Sequence, residues 1–277
     1  MSLVVACSFT GAPGVTTSVL GLALAWPGDV VVSDCDRDPG QVVEAGYLRG
    51  LDLGGRGLAP LARAHRERRS IADEMQSQLV PLREHPSYSR RFLPGFTHPA
   101  SATVFGPVWP EFVAALGTMS ATGTDVVVDA GRVGRDGLPP ALLAEADLVV
   151  VVLRSNLRSL AAARLHLPAL REQLTTLSGS AELALAVVGP GMPYSAGEIS
   201  AHFALPIAAS LTHHPAHASV LTDGVAEPRG FGDGALIRSY RAAAASLASR
   251  LRRRDAVLDA GSATEWTHLV PATGRAR

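Results

Sequence analysis

The chain has 277 residues with 25 basic and 25 acidic side chains, so its formal net charge is zero, and every basic residue is an arginine. The missing lysine excludes chemistry that depends on a lysine amine, including a Schiff-base nucleophile and the lysine of a standard phosphate-binding loop. A neutral chain also argues against a mainly electrostatic nucleic-acid binder, and this length suits one large α/β domain.

Short runs rich in valine and leucine alternate along the chain with longer alanine- and leucine-rich segments of helical period. The pattern predicts an α/β fold with a mostly parallel central sheet flanked by helices. The predicted strands are residues 3–8, 30–33, 125–129, 148–153, 183–188 and 206–210, and residues 90–96 could form another. The predicted helices are residues 16–25, 41–48, 110–119, 157–174 with a break near Pro168, and 236–253.

The domain organisation follows from where this alternation holds. Residues 1–255 are predicted to form a single domain. Within it, residues 50–108 are an elaborated crossover that carries four arginines between residues 63 and 69. Residues 256–277 lose the periodicity and are predicted to be a flexible C-terminal tail.

The location of the protein is predicted from its N-terminus and its cysteines. The first residues lack the basic start and apolar stretch of a secretory signal, and no window approaches the length of a membrane span. Only Cys7 and Cys35 are present, so a disulfide framework is not expected. We therefore expect a cytoplasmic protein without a transmembrane segment.

A glycine-containing turn follows the first predicted strand. Residues 9–26 read FTGAPGVTTSVLGLALAW, in which paired threonines open an apolar helix. A strand, a glycine turn and a helix N-terminus form the usual context of a phosphate-binding loop, because backbone N–H groups and the helix dipole there face an anion.

Three segments resemble motifs of the ParA/MinD-like ATPases, a family of P-loop NTPases. Residues 10–17 fill, in order, the eight places of the family's deviant loop K-G-G-x-G-K-T-T. Residues 30–40, VVVSDCDRDPG, resemble its second motif, a strand that ends in D-x-D before a proline. Residues 125–131, DVVVDAG, resemble its Walker B and switch region, and by layout the resemblance extends over residues 3–253.

This resemblance implies a nucleotide site with magnesium. The implied catalytic residues are Asp34 and Asp129. The implied nucleotide contacts are Gly11, Gly14, Val15, Thr16 and Thr17, and the implied magnesium site, formed through water, consists of Thr16, Asp36 and Asp129. The implied cofactor is ATP or ADP with magnesium, and the alternative is that no nucleotide binds.

The loop departs from the family pattern where the phosphates would lie. The two motif lysines fall on Thr10 and Val15, whereas a general exchange of lysine for arginine would have placed arginine there. In addition, Pro13 has no N–H to donate to a phosphate, and Ala12 replaces a glycine. Without the lysine contact to the transferring phosphoryl group, hydrolysis by the family's usual route should be severely impaired.

Several of these residues also have simpler interpretations. Thr16 could be only the N-cap of its helix, and the aspartates could cap turns at the strand ends. Either Arg132 or Arg154 could supply positive charge in place of lysine, or be solvated. Three histidines at positions 213, 214 and 217 could hold a metal, although no ligand at a familiar zinc spacing accompanies them.

The functional prediction is a ParA/MinD-like protein with a degenerate phosphate loop. As a pseudo-ATPase it would be a scaffold or regulator in septum placement, partitioning or assembly of an apparatus. One alternative is an active ATP-dependent dimerisation switch with hydrolysis, and another is a DNA- or protein-binding module without nucleotide. A protein partner is expected, with a homodimer and DNA contact through the arginine clusters, including Arg250 and residues 252–254, as further options.

Overall fold

The computed structural model describes residues 2–10, 14–83, 85–177 and 181–267. Eight strands form one sheet in the order β3-β4-β2-β5-β1-β6-β7-β8. In chain order the strands are β1 Leu3–Ser8, β2 Val30–Asp34, β3 Val80–Arg83, β4 Arg90–Leu93, β5 Asp125–Arg132, β6 Leu148–Arg154, β7 Glu182–Val188 and β8 Ile207–Leu211. All neighbouring strands are parallel except the edge pair β3 and β4.

The described residues contain ten α-helices, of which eight lie between strands and two follow β8. They are α1 Val15–Leu24, α2 Leu58–Arg66, α3 Ile71–Gln78, α4 Pro99–Val104, α5 Trp109–Ala121, α6 Pro140–Ala144, α7 Leu157–Thr176, α8 Ala196–Phe203, α9 Pro215–Thr222 and α10 Ala235–Thr267. A five-residue π-helix spans Val43–Tyr47, and 3-10 turns span Gly106–Val108 and Phe231–Asp233.

The sheet is covered on both faces, which explains why its central strands are almost entirely apolar. In β1, Leu3 and Val5 belong to one buried cluster, while Val4 and Ala6 belong to the other, as the alternation of side chains along a strand requires. Helices α5 and α7 pack in the first cluster and α1 and α10 in the second. The predicted α/β fold with a mostly parallel sheet is confirmed.

Residues 50–108 contain more regular structure than the sequence predicted. This segment includes α2, α3, the hairpin-like pair β3 and β4, and α4. The possible strand at residues 90–96 is present as β4, shortened to Arg90–Leu93. Helices α6, α8 and α9 were not predicted, because each is short and none has a long apolar repeat.

Three predicted helix boundaries are wrong. Within residues 41–48 the chain forms the π-helix Val43–Tyr47 rather than an α-helix, and Gly46 in it lies against the backbone of Thr222. Helix α7 continues through Pro168, since Leu167 and Leu170 on either side of it are buried.

The third error concerns the C-terminus. Helix α10 continues to Thr267, so residues 256–267 of the predicted tail are helical. The segment contains no proline and has several good helix formers, which allows the helix to extend past the periodic part. Residues 268–277 lie outside the described residues. Within the described residues, no helix is both long enough and apolar enough to cross a membrane.

Candidate functional site

The predicted site lies at the carboxyl ends of the central strands β1, β2 and β5. Strand register places Asp34 of β2 beside Asp129 of β5, and Ala6 of β1 on the other side of Asp129. A cleft of about 270 Å³ opens there. It is lined by Ser8, Gly14, Val15, Thr16, Thr17, Asp34, Asp36, Asp38, Gly40, Gln41, Val42, Gly131, Arg132, Thr222 and Asp223. The structure thus brings the three motifs together, as ligand sites in such sheets require.

The N-terminus of α1 forms one wall of the cleft. Its N-cap is Gly14, in the left-handed region with φ 87° and ψ 49°, and no side chain caps the helix. The interpretation of Thr16 as the N-cap is therefore wrong, because the helix already begins at Val15. The Ser18 hydroxyl donates to the Gly14 carbonyl at 2.8 Å. The predicted contact Gly11 lies outside the described residues.

Val15 occupies the place of the second motif lysine. It is only 6% exposed and packs with the apolar residues of α1, although it also borders the cleft. Thr16 and Thr17 follow it along the same wall. The helix N-terminus therefore presents an aliphatic group and two hydroxyls, with no cationic side chain.

Two buried carboxylates lie at the cleft, Asp34 in its lining and Asp129 beside Asp34 on the neighbouring strand. Asp34 is 8% exposed and Asp129 is 2% exposed. The Asp36 amide donates to Oδ1 of Asp34 at 3.0 Å, and the Gly131 amide donates to Oδ1 of Asp129 at 2.9 Å. Oδ2 of Asp129 is buried and has no hydrogen-bond partner among the described residues. An unpaired buried oxygen of this kind needs a further ligand, such as water or a cation.

The environment raises the pKa of both carboxyl groups. Burial raises the pKa of Asp34, and the neighbouring Asp129 charge raises it further. Burial also raises the pKa of Asp129, to about 6, against the lowering effect of Thr16 and the Gly131 amide. The Thr16 hydroxyl lowers the pKa of Asp129, but Oδ2 of Asp129 still has no well-formed hydrogen bond among the described residues.

Two glycines allow the backbone to approach these carboxylates. A Cβ at Gly95, just after β4, would lie 2.7 Å from Cγ of Asp34. A Cβ at Gly131 would lie 2.0 Å from Cγ of Asp36, and Gly131 has a φ of +60° that disfavours other residues. Sequence reasoning missed Gly95 because no motif marks the strand before it.

The cleft carries little positive charge. Its lining includes four carboxylates, Asp34, Asp36, Asp38 and Asp223, and one guanidinium, Arg132. Nη2 of Arg132 lies 3.6 Å from Oδ2 of Asp38, and both side chains are mostly exposed. Sequence reasoning also missed Thr222 and Asp223, which reach the cleft from the end of α9.

Arg154 borders a neighbouring cavity of about 240 Å³ on the other side of Gly14 and Thr17. That cavity is also lined by His213 and His214. Nε of Arg154 is buried and has no hydrogen-bond partner among the described residues. Of the two arginines considered as replacements for lysine, Arg132 therefore lies in the cleft itself and Arg154 in the adjoining cavity.

The histidines do not form a metal site. Nδ1 of His214 accepts from the His217 amide at 3.1 Å, which caps α9. Across the described part of the chain, no group of three His, Cys, Asp or Glu residues is arranged to hold a metal ion. The same finding applies to the aspartates, which form no such group among the described residues.

The basic end of α10 is partly used in intramolecular pairs. Arg250 forms a two-bond pair with Glu182, in which Nε donates to Oε2 at 2.8 Å. Nη1 of Arg254 lies 3.0 Å from Oδ1 of Asp147. Two of the four arginines proposed to contact DNA thus pair with carboxylates of the same chain, Glu182 and Asp147.

The cleft contains oxygen atoms that suit magnesium but carries little positive charge for the phosphates of a nucleotide. Carboxylate oxygens and a threonine hydroxyl are ligands that magnesium prefers, and Oδ2 of Asp129 has an unused acceptor position. The phosphates, however, would face several carboxylates without the lysine that normally offsets them. The described residues therefore include oxygen atoms of the kind that magnesium prefers, whereas they lack the cationic contacts to phosphate that hydrolysis uses.

No protein-family model and no curated protein matches the sequence. Solved structures match closely in fold. The ParA family ATPase of Chlorobium tepidum is 16% identical with a TM-score of 0.65, covering 88% of this chain and 97% of that one. MinD in the MinC:MinD complex of Aquifex aeolicus is 14% identical with a TM-score of 0.65, covering 90% and 96%. MinD of Pyrococcus horikoshii complexed with Mg-ADP is 14% identical with a TM-score of 0.60, covering 86% and 94%.

Proposed function

We propose that this chain, which has the fold of the ParA and MinD ATPases, acts in spatial organisation within the cell as a scaffold or regulator. Septum placement, partitioning and assembly of an apparatus are the processes that the resemblance offers. In this proposal the phosphate loop is degenerate, and the protein is a pseudo-ATPase that does not turn over ATP efficiently.

The charge balance of the cleft is the observation that carries this proposal. Val15 is an aliphatic residue at a lysine position, and one exposed arginine faces four carboxylates of the lining. A charge-assisted hydrogen bond contributes about 1.5–3 kcal/mol, and this chain has no lysine to supply it.

The cleft retains residues through which magnesium and a nucleotide could bind without hydrolysis. We propose that Thr16, Asp36 and Asp129 would hold magnesium partly through water. Gly11, Gly14, Val15, Thr16 and Thr17 would then contact the nucleotide, with Asp34 and Asp129 in the positions that are catalytic in active relatives. The Mg-ADP complex of MinD from Pyrococcus horikoshii supports this assignment by likeness of fold.

The proposed mode of action requires partners. The MinC:MinD complex of Aquifex aeolicus contains a protein of this fold bound to another protein. We propose by analogy that this chain binds a protein partner and can form a homodimer. We also propose that residues 1–255 are one domain, since helix α10 packs in one buried cluster with strands of the sheet. We further propose that the protein is cytoplasmic, because the free, buried Cys7 and Cys35 suit a reducing compartment.

ATP turnover tests the leading proposal. Steady-state phosphate release is measured with purified full-length protein, ATP and magnesium, alongside Asp129→Ala. The proposal expects the two proteins to release phosphate at the same background rate. Turnover by the wild-type protein that disappears in Asp129→Ala would show that the loop is functional without lysine.

The second candidate is an active dimerisation switch in which arginine replaces lysine. The position of Arg154 favours it, because its buried Nε has no hydrogen-bond partner among the described residues and its side chain borders a cavity shared with Gly14 and Thr17. Light scattering should then detect an ATP-dependent dimer that is lost in Arg154→Ala and kept in Arg132→Ala. A mass that is unchanged by ATP and magnesium would rule this candidate out.

A further inference from the structure

An apolar groove of about 750 Å³ lies between α2 and α4. It is separate from the cleft that contains Asp34, called the nucleotide cleft below. Its floor contains Phe96 and Phe105, whose rings meet edge to face with centroids 5.4 Å apart. Both phenylalanines are buried, and Trp109 packs against them from behind. The floor is therefore rigid, because these aromatic side chains are held on several sides.

The rim of the groove exposes apolar side chains to solvent. Val104, at the end of α4, is 61% exposed, and Ala100 and Pro107 beside it are also exposed. Exposed apolar groups above a buried aromatic floor are typical of a binding surface. No other element of the described chain covers this rim.

The two walls of the groove differ in charge. On the α2 side the lining includes Arg66 and Arg68, both exposed, whereas residues 99–108 on the other side contain no charged residue. Neither Arg66 nor Arg68 makes an ion pair within the described residues, while the adjacent Arg69 pairs with Glu67 and Glu74. The groove thus offers free positive charge along one edge only.

The neighbouring acidic groups are already engaged. Oε2 of Glu111 lies 2.7 Å from Nδ1 of His65, which also lines the groove. Oε1 of Glu111 accepts a hydrogen bond from the Ile71 amide at 3.3 Å. Glu67 and Glu74 bind Arg69, at 2.9 Å and 2.7 Å. Arg66 and Arg68 are therefore available to pair with carboxylates of a partner.

We propose that this groove binds a helical segment of another protein, one whose exposed face combines apolar and acidic side chains. The apolar side chains would cover Phe96, Phe105 and Val104, and the carboxylates would pair with Arg66 and Arg68. A helix seated between two helices is a common mode of peptide recognition. The charge on one edge sets the orientation of the segment and selects against basic partners.

The groove suits protein better than DNA. Duplex DNA presents phosphates and polar edges, and its binding surfaces are accordingly dominated by positive charge rather than apolar floors. Here two arginines border a lining that is otherwise mostly apolar, and their neighbour Arg69 is neutralised by carboxylates.

This inference does not depend on the nucleotide cleft. None of the residues that line the groove lines that cleft. An active ATPase could bind a partner here, and a pseudo-ATPase could fail to do so, so the two proposals are tested separately.

The test begins with selection of a random 16-residue phage-displayed peptide library on the purified full-length chain. The enriched peptides should carry apolar residues at helical spacing together with aspartate or glutamate. Their binding, measured by fluorescence anisotropy with synthetic peptides, should weaken about tenfold or more in the double variant Arg66→Glu/Arg68→Glu. Val104→Glu should weaken it by a similar factor, since it adds a like charge to the apolar rim.

Two control variants test whether a loss of peptide affinity is specific to the groove or follows from any change of surface charge. Arg56→Glu/Arg63→Glu makes the same charge change on exposed residues outside the groove, and Leu165→Glu adds a charge at an exposed leucine on α7. Both should leave peptide affinity within about twofold. All variants should show the same circular dichroism spectrum and melting temperature as the wild-type chain.

Several outcomes would overturn the proposal. They are the absence of enriched peptides, enrichment of basic peptides, and peptides whose affinity the groove variants do not change. Retention of duplex DNA that is lost in Arg66→Glu/Arg68→Glu would instead assign the arginines to nucleic acid. Self-association that is lost in Val104→Glu would identify a second copy of the chain as the occupant.

Discussion

Replacement of Asp129 by asparagine should stabilise the protein at neutral and alkaline pH. The Asp129 carboxyl is 2% exposed, and burial raises its pKa from 3.8 to about 6. A carboxyl with a raised pKa binds its proton more tightly in the folded state. Folding is therefore favoured while the group is protonated, and this contribution is lost as the pH rises through about 6.

The size of the effect follows from the pKa difference. One pKa unit corresponds to about 1.4 kcal/mol, so the folded state loses on the order of 3 kcal/mol between about pH 4 and pH 7. An asparagine side chain cannot ionise, so the Asp129→Asn variant should not show this loss. Its free energy of unfolding should exceed that of the wild type by about 2–3 kcal/mol near pH 8, and by much less near pH 4.

Urea denaturation across this pH range, with EDTA present to remove metal ions, measures the difference. Asp38→Asn is the matched control, because it removes a charge from an exposed side chain of the same cleft and should change stability by less than about 1 kcal/mol. The reasoning would be refuted by an Asp129→Asn variant that is less stable than wild type near pH 8. That result would mean that the carboxylate is offset by positive charge.

Three further predictions concern the loop, a surface pair and a close backbone contact. Val15→Lys should raise ATP affinity about tenfold or more in calorimetry, because one charge-assisted hydrogen bond contributes about 1.5–3 kcal/mol. The control Val15→Ala should not raise it. Equal affinities of the lysine and alanine variants would contradict a disabled phosphate loop. Arg250→Ala should lower the free energy of unfolding by about 0.5–1 kcal/mol, because it removes the partly exposed ion pair with Glu182. This difference in unfolding free energy should shrink in about 1 M salt. A difference that is insensitive to salt would argue against an ion pair. Gly46→Ala should lower the free energy of unfolding by about 1–3 kcal/mol, because its Cβ would lie 2.0 Å from the Thr222 carbonyl oxygen. The control Gly28→Ala should be neutral, because a Cβ there meets nothing within 4 Å. Similar melting temperatures of the two variants would contradict the close packing of the π-helix on α9.

The sheet could be predicted from the sequence because its strands are short, apolar and buried on both faces. The run from Leu148 to Leu153 has no polar alternation, as expected for a central strand covered on both faces. The segment between residues 50 and 108 could not be predicted in the same way. Its helices are short, and their burial depends on contacts such as those of Phe105 and Trp109 that are specified by tertiary packing.

The candidate site was predictable where a residue lies in a motif. The places of Thr16, Asp34 and Asp129 beside one cleft follow from strands that end at one edge of a parallel sheet. Asp223 could not be predicted, because it comes from a distant helix that no motif marks. The roles of these residues stay predictions until nucleotide binding is measured.

A single-turnover measurement of phosphate release tests the central claim most directly. Protein in excess over radiolabelled ATP, with magnesium, detects even slow hydrolysis that a steady-state assay would miss. We expect the wild-type chain, Asp129→Ala and buffer alone to release phosphate at the same rate. Faster release by the wild-type chain, abolished in Asp129→Ala, would show that this fold hydrolyses ATP without its lysines.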